Sequence, residues 1–261
     1  MRAIAELDPE RARSLGGLLF DLDDTLLSHG ALTRTAYGAL WDLRDAGLRL
    51  VAVTGRPSGW GEVIARQWPV DGVVTENGAV HIVRDGAGVA RRETCDDAER
   101  RRRRIRLAQL VEDVRAIVPE ARLTDDVDAR RSDVTWDIGE RTRLPLERVD
   151  AIARAIVDAG ARTTRSSVHL HATFDADDKA SGAVAFLVRE LGEDAGRAVA
   201  RYAFAGDSGN DAACFGAFHT TFGVANVRAH LGRLTVWPRF VTRSTMGEGF
   251  AEIARAILAA R

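Results

Sequence analysis

The chain has 261 residues, 46% of them apolar and 29% charged, with a formal net charge of −1. That balance excludes a disordered chain, a collagen and a membrane bundle. It also supplies no global field to draw in nucleic acid or an anionic membrane. The length suits one or two domains, each large enough to bury a real core. Two cysteines, Cys95 and Cys214, are too few for a disulfide framework or a zinc site, so reduced thiols in a cytosolic protein are expected. Arg2, Glu6 and Asp8 interrupt the start of the chain, so secretion is not expected. The longest uncharged stretch, residues 212–227, contains His219 and Asn226 and is not a membrane span.

Taken in chain order, short apolar runs alternate with helical patterns. Residues 18–20 end at Asp21, residues 48–53 end at Thr54, and residues 72–74 end at Thr75. Residues 202–205 precede Gly206-Asp207, and a further run covers 221–225. Continuous apolar runs predict strands covered on both faces, hence a parallel sheet. Between them, residues 32–46 and 180–191 carry helical spacing. The alternation predicts an α/β fold, a doubly wound parallel sheet with its ligand site beyond the carboxyl ends of the strands. The middle of the chain reads differently. It predicts a helix over 98–118 with Ile105, Leu110, Val111, Val114 and Ile117 on one face, a strand over 134–138, a helix over 146–159 and an alternating strand over 168–174. A separate small domain over residues 83–174 with a partly antiparallel sheet follows. Residues 1–82 and 175–261 then form the main domain.

Four segments carry chemistry: Phe20-Asp21-Leu22-Asp23-Asp24-Thr25, Val53-Thr54-Gly55-Arg56-Pro57, Asp178-Lys179, and Gly206-Asp207-Ser208-Gly209-Asn210-Asp211. The first, second and fourth each end a predicted strand, so a parallel sheet brings them to one edge. Asp21, Asp23, Asp207 and Asp211 would crowd there, which is costly unless a cation intervenes. Oxygen-only ligation suits Mg²⁺, which shares substrate phosphate oxygens. Lys179 is the sole lysine among 37 basic residues, which marks a place where a compact ammonium is wanted rather than a guanidinium fork. With Thr54, the Gly55 amide and Asn210 as donors, the set would clamp a phosphoryl group. One carboxylate could attack phosphorus while another protonates the leaving oxygen.

These segments, in this order, resemble the four signature motifs of the haloacid dehalogenase superfamily of phosphohydrolases. The resemblance implies Asp21 as nucleophile and Asp23 as general acid/base. Thr54, Gly55, Lys179 and Asn210 would hold the phosphoryl group. Mg²⁺ would sit on the Asp21 carboxylate, the Asp23 carbonyl and Asp207, with Asp211 binding through water or orienting Lys179. Thr54 follows Asp21 by 33 residues and Lys179 follows Thr54 by 125. That spacing resembles the branch with a large α/β cap after the second motif, which includes Cof-like, sucrose-phosphate and trehalose-phosphate phosphatases. Glu76-Asn77-Gly78-Ala79 and Gly247-Glu248-Gly249-Phe250 look like the same branch, whereas Ala180-Ser181-Gly182 after the lysine departs from the glycine many members carry there.

The expectation is a cytoplasmic Mg²⁺-dependent phosphatase acting on a small phosphorylated metabolite, a sugar phosphate, with neither nucleic acid nor membrane as partner and the oligomeric state open. Two alternatives stand: a phosphosugar mutase on the same scaffold, and a nucleic-acid module using the run Arg100–Arg104. The bland reading of that run is a solvated helix face. His169 and His171 share a strand face and could bind substrate or metal, with a solvated sheet face as the bland reading. Trp136 and Asp137 are expected in cap packing, with sugar contact as the alternative.

Overall fold

The computed structural model describes residues 1–166 and 168–261. In chain order the first part comprises β1 (Arg2–Ala3), α1 (Pro9–Ser14), β2 (Gly17–Phe20), α2 (Arg34–Asp45), β3 (Arg49–Val53), α3 (Ser58–Gln67), β4 (Gly72–Thr75), β5 (Val80–Asp85) and β6 (Gly88–Glu93). The middle comprises α4 (Asp97–Ile117), β7 (Arg122–Leu123), β8 (Asp133–Asp137), α5 (Leu146–Asp158), β9 (Arg162–Arg165) and β10 (His169–Thr173). The last part comprises α6 (Lys179–Leu191), α7 (Ala195–Arg201), β11 (Tyr202–Gly206), α8 (Ala212–Ala217), β12 (Thr220–Gly223), β13 (Phe240–Val241) and α9 (Met246–Leu258).

Among the described residues the first and last parts build one nine-stranded sheet, ordered β1-β13-β12-β11-β2-β3-β4-β5-β6. The strands from β1 to β4 are parallel, and β5 and β6 add an antiparallel hairpin at the edge. The central strands are apolar throughout because both faces are covered. Leu18 and Phe20 of β2 join Leu40, Phe250 and Ile253 on one face. Leu19 joins Phe186, Leu187 and Phe204 on the other. The sheet order reverses between β2 and β11, and the loops after β2, β3 and β11 leave from the same edge. No described helix is long and apolar enough to cross a membrane.

The middle part forms a second sheet, ordered β7-β8-β10-β9, in which every pairing is antiparallel rather than only some. Val134, Trp136, Leu170 and Ala172 pack one of its faces onto Leu110 and Val114 of α4 and Val149, Ile152 and Ile156 of α5. Two expectations change here. The division at 82/83 cuts β5, which hydrogen-bonds onto the large sheet, so the chain leaves that sheet only after Glu93. And α4 does not bury Ile105 or Ile117, which are 71% and 52% exposed. Its inner face runs through Arg100, Leu107, Leu110 and Val114.

Arg100 explains that rotation. It is buried at the root of the inserted segment, where it pairs with Glu93 and, at 2.6 Å, with Asp175. Those two residues lie on the outgoing and returning connections. Arg103 adds Asp175 and Glu99, each at 2.7 Å, and Arg102 pairs with Glu99 at 2.6 Å. The arginine run is therefore in part a staple across the two connections, not simply a solvated face.

Candidate active site

The site lies at the carboxyl edge where β2, β3 and β11 end. Lys179 opens α6, whose N-terminus is fixed by Asp178: its carboxylate accepts the Ser181 N–H (2.8 Å), and its own N–H donates to Ser181 Oγ (2.9 Å). The helix can approach this closely because two glycines touch. A Cβ on Gly182 would meet the Gly78 main chain at 2.3 Å. Gly78 also has φ +116°, a region that other residues rarely enter. This contact sets where Lys179 enters the edge.

Lys179 is fully enclosed, and its Nζ lies 2.6 Å from Asp21 Oδ1 and 2.8 Å from Asp211 Oδ1. Asp21, Asp207 and Asp211 each offer an oxygen within 4.8 Å of the others. Both Asp207 oxygens are held, by the Thr25 hydroxyl (3.2 Å) and the Asn226 amide (2.9 Å). Asp211 Oδ2 accepts the N–H groups of Asp207 (2.9 Å) and Ser208 (3.0 Å). Three buried carboxylates thus face one ammonium. Burial opposes the Lys179 charge, yet Asp21 and Asp211 hold its pKa above the ordinary range. The surplus negative charge appears on the acids. Burial, opposed in part by Lys179, and repulsion from Asp211 and Asp23 push Asp21 up to about 7. Burial, Asp211 and Asp21 push Asp207 up to about 9. Oxygen donors with unbalanced negative charge are what a hard divalent cation requires, so these residues fit Mg²⁺.

The other expected residues are arranged as follows. The Asp23 carboxylate turns outward, 52% exposed, into a two-pronged pair with Arg56 (Nη2 to Oδ1 2.6 Å, Nε to Oδ2 3.0 Å). Thr54 is buried, and its Oγ1 accepts the Arg56 N–H at 3.1 Å, which leaves its own proton free to donate. The Gly55 carbonyl accepts from Arg130 Nη1 at 3.1 Å. Asn210 Oδ1 accepts the Ser208 hydroxyl at 2.8 Å. The structure brings Lys179 into contact with Asp21 and Asp211, places the Asp207 carboxylate beside those two acids and sets the Asp23 carboxylate apart from them.

Several participants escaped the sequence reading. Thr25 sits inside the first motif and Asn226 just beyond the end of β12. Both are polar residues at the carboxyl edge, and that position is the signal that could have found them. Arg56 stands inside the second motif but shows its role only through Asp23. Glu76 is buried and gathers the Ser58 N–H (3.0 Å), the Arg131 N–H (3.0 Å), and the N–H and hydroxyl of Ser132 (2.6 Å each). It ties the inserted segment to the large sheet. Glu76 and Asn77 both adopt positive φ, 51° and 53°, to make that turn. His171 is buried, not solvated, and Trp136 packs inside the small sheet's core. Asp137 accepts four main-chain N–H groups, from Gly139 to Thr142, and serves the local turn.

The sequence profile of haloacid dehalogenase-like hydrolases matches residues 18–93. No curated protein matches the chain by sequence. Among solved structures, a Thermoplasma acidophilum protein is similar over 94% of this chain and 98% of its own, with TM-score 0.73 and 17% identity. A phosphatase of the haloalkanoate superfamily from Bacteroides thetaiotaomicron is similar over 98% and 99%, with TM-score 0.65 and 23% identity. The sucrose-phosphatase of Synechocystis, solved with sucrose and phosphate, is similar over 93% and 98%, with TM-score 0.67 and 15% identity.

Proposed function

We propose that the chain, whose residues 18–93 match haloacid dehalogenase-like hydrolases, is a Mg²⁺-dependent phosphomonoester hydrolase acting on a small phosphorylated metabolite, a sugar phosphate. The observation that carries this reading is the sole lysine held 2.6 Å from the Asp21 carboxylate inside a cluster of buried acids. A structural ion pair needs one carboxylate; this arrangement offers three and leaves charge for a cation. Residues 94–174 act as the cap, and the cytosol is the compartment that suits two free thiols.

The Asp21 and Asp207 carboxylates and the Asp23 main-chain carbonyl would hold Mg²⁺, with Asp211 orienting Lys179. When bound, the ion neutralises the acids and polarises the phosphoryl oxygens. The Asp21 oxygen not engaged by Lys179 attacks phosphorus and forms an aspartyl-phosphate. Lys179 Nζ, the Thr54 hydroxyl, the Gly55 N–H and the Asn210 amide hold the oxygens of the transferring group. The Asp23 carboxyl leaves Arg56, protonates the departing alkoxide and later takes a proton from the water that hydrolyses the intermediate.

A screen of phosphorylated metabolites for phosphate release tests this. Activity with Mg²⁺, its loss in EDTA and its loss in Asp21→Asn are expected. Activity in EDTA equal to that with Mg²⁺ would refute the reading. A phosphosugar mutase would instead need a bisphosphate activator and release little free phosphate.

A further inference from the structure

The phosphoryl-transfer groups leave one hydrogen-bonded chain unused, on the polar face of the small sheet. Leu170 and Ala172 of β10 enter the helix-covered core, so His171 between them points to the opposite face. That face looks onto the large sheet. Arg130 reaches the Gly55 carbonyl and Ser132 the Glu76 carboxylate, while β9, whose Thr164 lies across from His171, packs on the Gly209–Asp211 turn.

His171 Nδ1 lies 3.0 Å from Asp133 Oδ2 and 3.0 Å from Thr135 Oγ1. Arg130 Nη1 holds both Asp133 oxygens at 3.1 Å, and the same nitrogen donates to the Gly55 carbonyl. Burial, aided by the Arg130 charge, lowers the pKa of His171 and keeps the ring neutral. Burial opposes the Asp133 charge, but Arg130 and His171 outweigh it and keep that acid ionised. An ionised carboxylate only accepts, so Nδ1 carries the ring proton and Nε2 keeps a lone pair. Among the described residues Nε2 has no hydrogen-bond partner.

We infer that His171 Nε2 accepts a hydrogen bond from a hydroxyl of the leaving group, making it the specificity residue that selects phosphoesters of polyhydroxylated compounds. The inference rests on the phosphatase reading and deepens it. Through Asp133 and Arg130 the nitrogen that reads the alcohol is tied to the turn that holds the phosphoryl group, so the two ends of one substrate are measured against each other. Nε2 reaches solvent at the surface of this face, so an ester that lacks the hydroxyl leaves it to water and forgoes the bond.

The test compares hexose and glycerol phosphates with p-nitrophenyl phosphate, whose leaving group carries no further hydroxyl. The wild type should favour the best polyol phosphate. His171→Leu should raise KM for it about tenfold, the worth of one hydrogen bond, with kcat and the p-nitrophenyl phosphate kinetics within about twofold. His171→Gln, which returns an acceptor near the same point, should restore most of the loss. Equal losses on both substrates with no rescue by Gln would overturn the inference, as would an unchanged KM. A wild type that hydrolyses p-nitrophenyl phosphate but prefers no polyol phosphate would also overturn it while leaving the phosphatase reading intact. A wild type inert to every ester with Mg²⁺ present would overturn both.

Discussion

Lys179 shows how much one residue type can carry. Its ammonium sits between Asp21 and Asp211, and both it and Asp211 are almost fully enclosed. Arginine would bring the same charge on a wider planar fork. Lys179→Arg should therefore lower kcat/KM by roughly 10²–10³, the usual cost of misplacing one donor at a reacting oxygen. Steady-state kinetics on the preferred substrate check this, and near-normal values would show that only charge matters. The lysine was legible because the sequence holds no other. The roles of Arg56, Glu76 and Arg130 were not, because each is defined by partners brought in from distant segments, and 36 arginines offer no contrast among themselves.

At the level of elements, the connections between sheets matter most. Arg100 holds Glu93 and Asp175 together at the root of the inserted segment, with Arg131 and Arg103 as secondary partners. Removing the central cation leaves two shielded carboxylates short of charge. Arg100→Met should cost about 3 kcal/mol in urea unfolding, while the exposed neighbour change Arg101→Ala should fall within about 0.5 kcal/mol. Equal effects would show that the staple contributes nothing. Strands β2, β3, β4 and β11 were readable because their apolar runs are continuous. The β5–β6 hairpin was not, because Arg84, Asp85, Arg91 and Arg92 make its outer half look like a loop. Likewise β9 reads Arg-Thr-Thr-Arg and gains its place only by pairing with β10. On α4 the expected apolar stripe gave way because Arg100 turns inward to its acids, which turns Ile105 outward.

For the whole molecule, the acid cluster links stability to pH and to metal. The folded chain holds Asp21 and Asp207 above their ordinary value of 3.8. Such carboxyls bind more protons folded than unfolded, so their contribution is complete below that value and is lost as pH rises through the folded values of about 7 and about 9. The melting temperature of EDTA-treated protein should fall between about pH 5 and pH 9. A Mg²⁺ concentration a hundredfold above its Kd at pH 7 should restore about 2.7 kcal/mol there, and the same concentration should restore more at the alkaline end, where protons no longer compete. A Mg²⁺ effect that shrinks as pH rises would contradict the electrostatic reading of the cluster.

The proposal that Asp21 is the nucleophile is what the rest depends on. Borohydride added during turnover reduces an acyl phosphate, and mass spectrometry of the digested protein then locates the reduced carboxyl. Homoserine should appear at position 21 in the wild type and nowhere in Asp21→Asn. Steady phosphate release with no reduction at Asp21, or reduction at another carboxylate, would contradict the assignment.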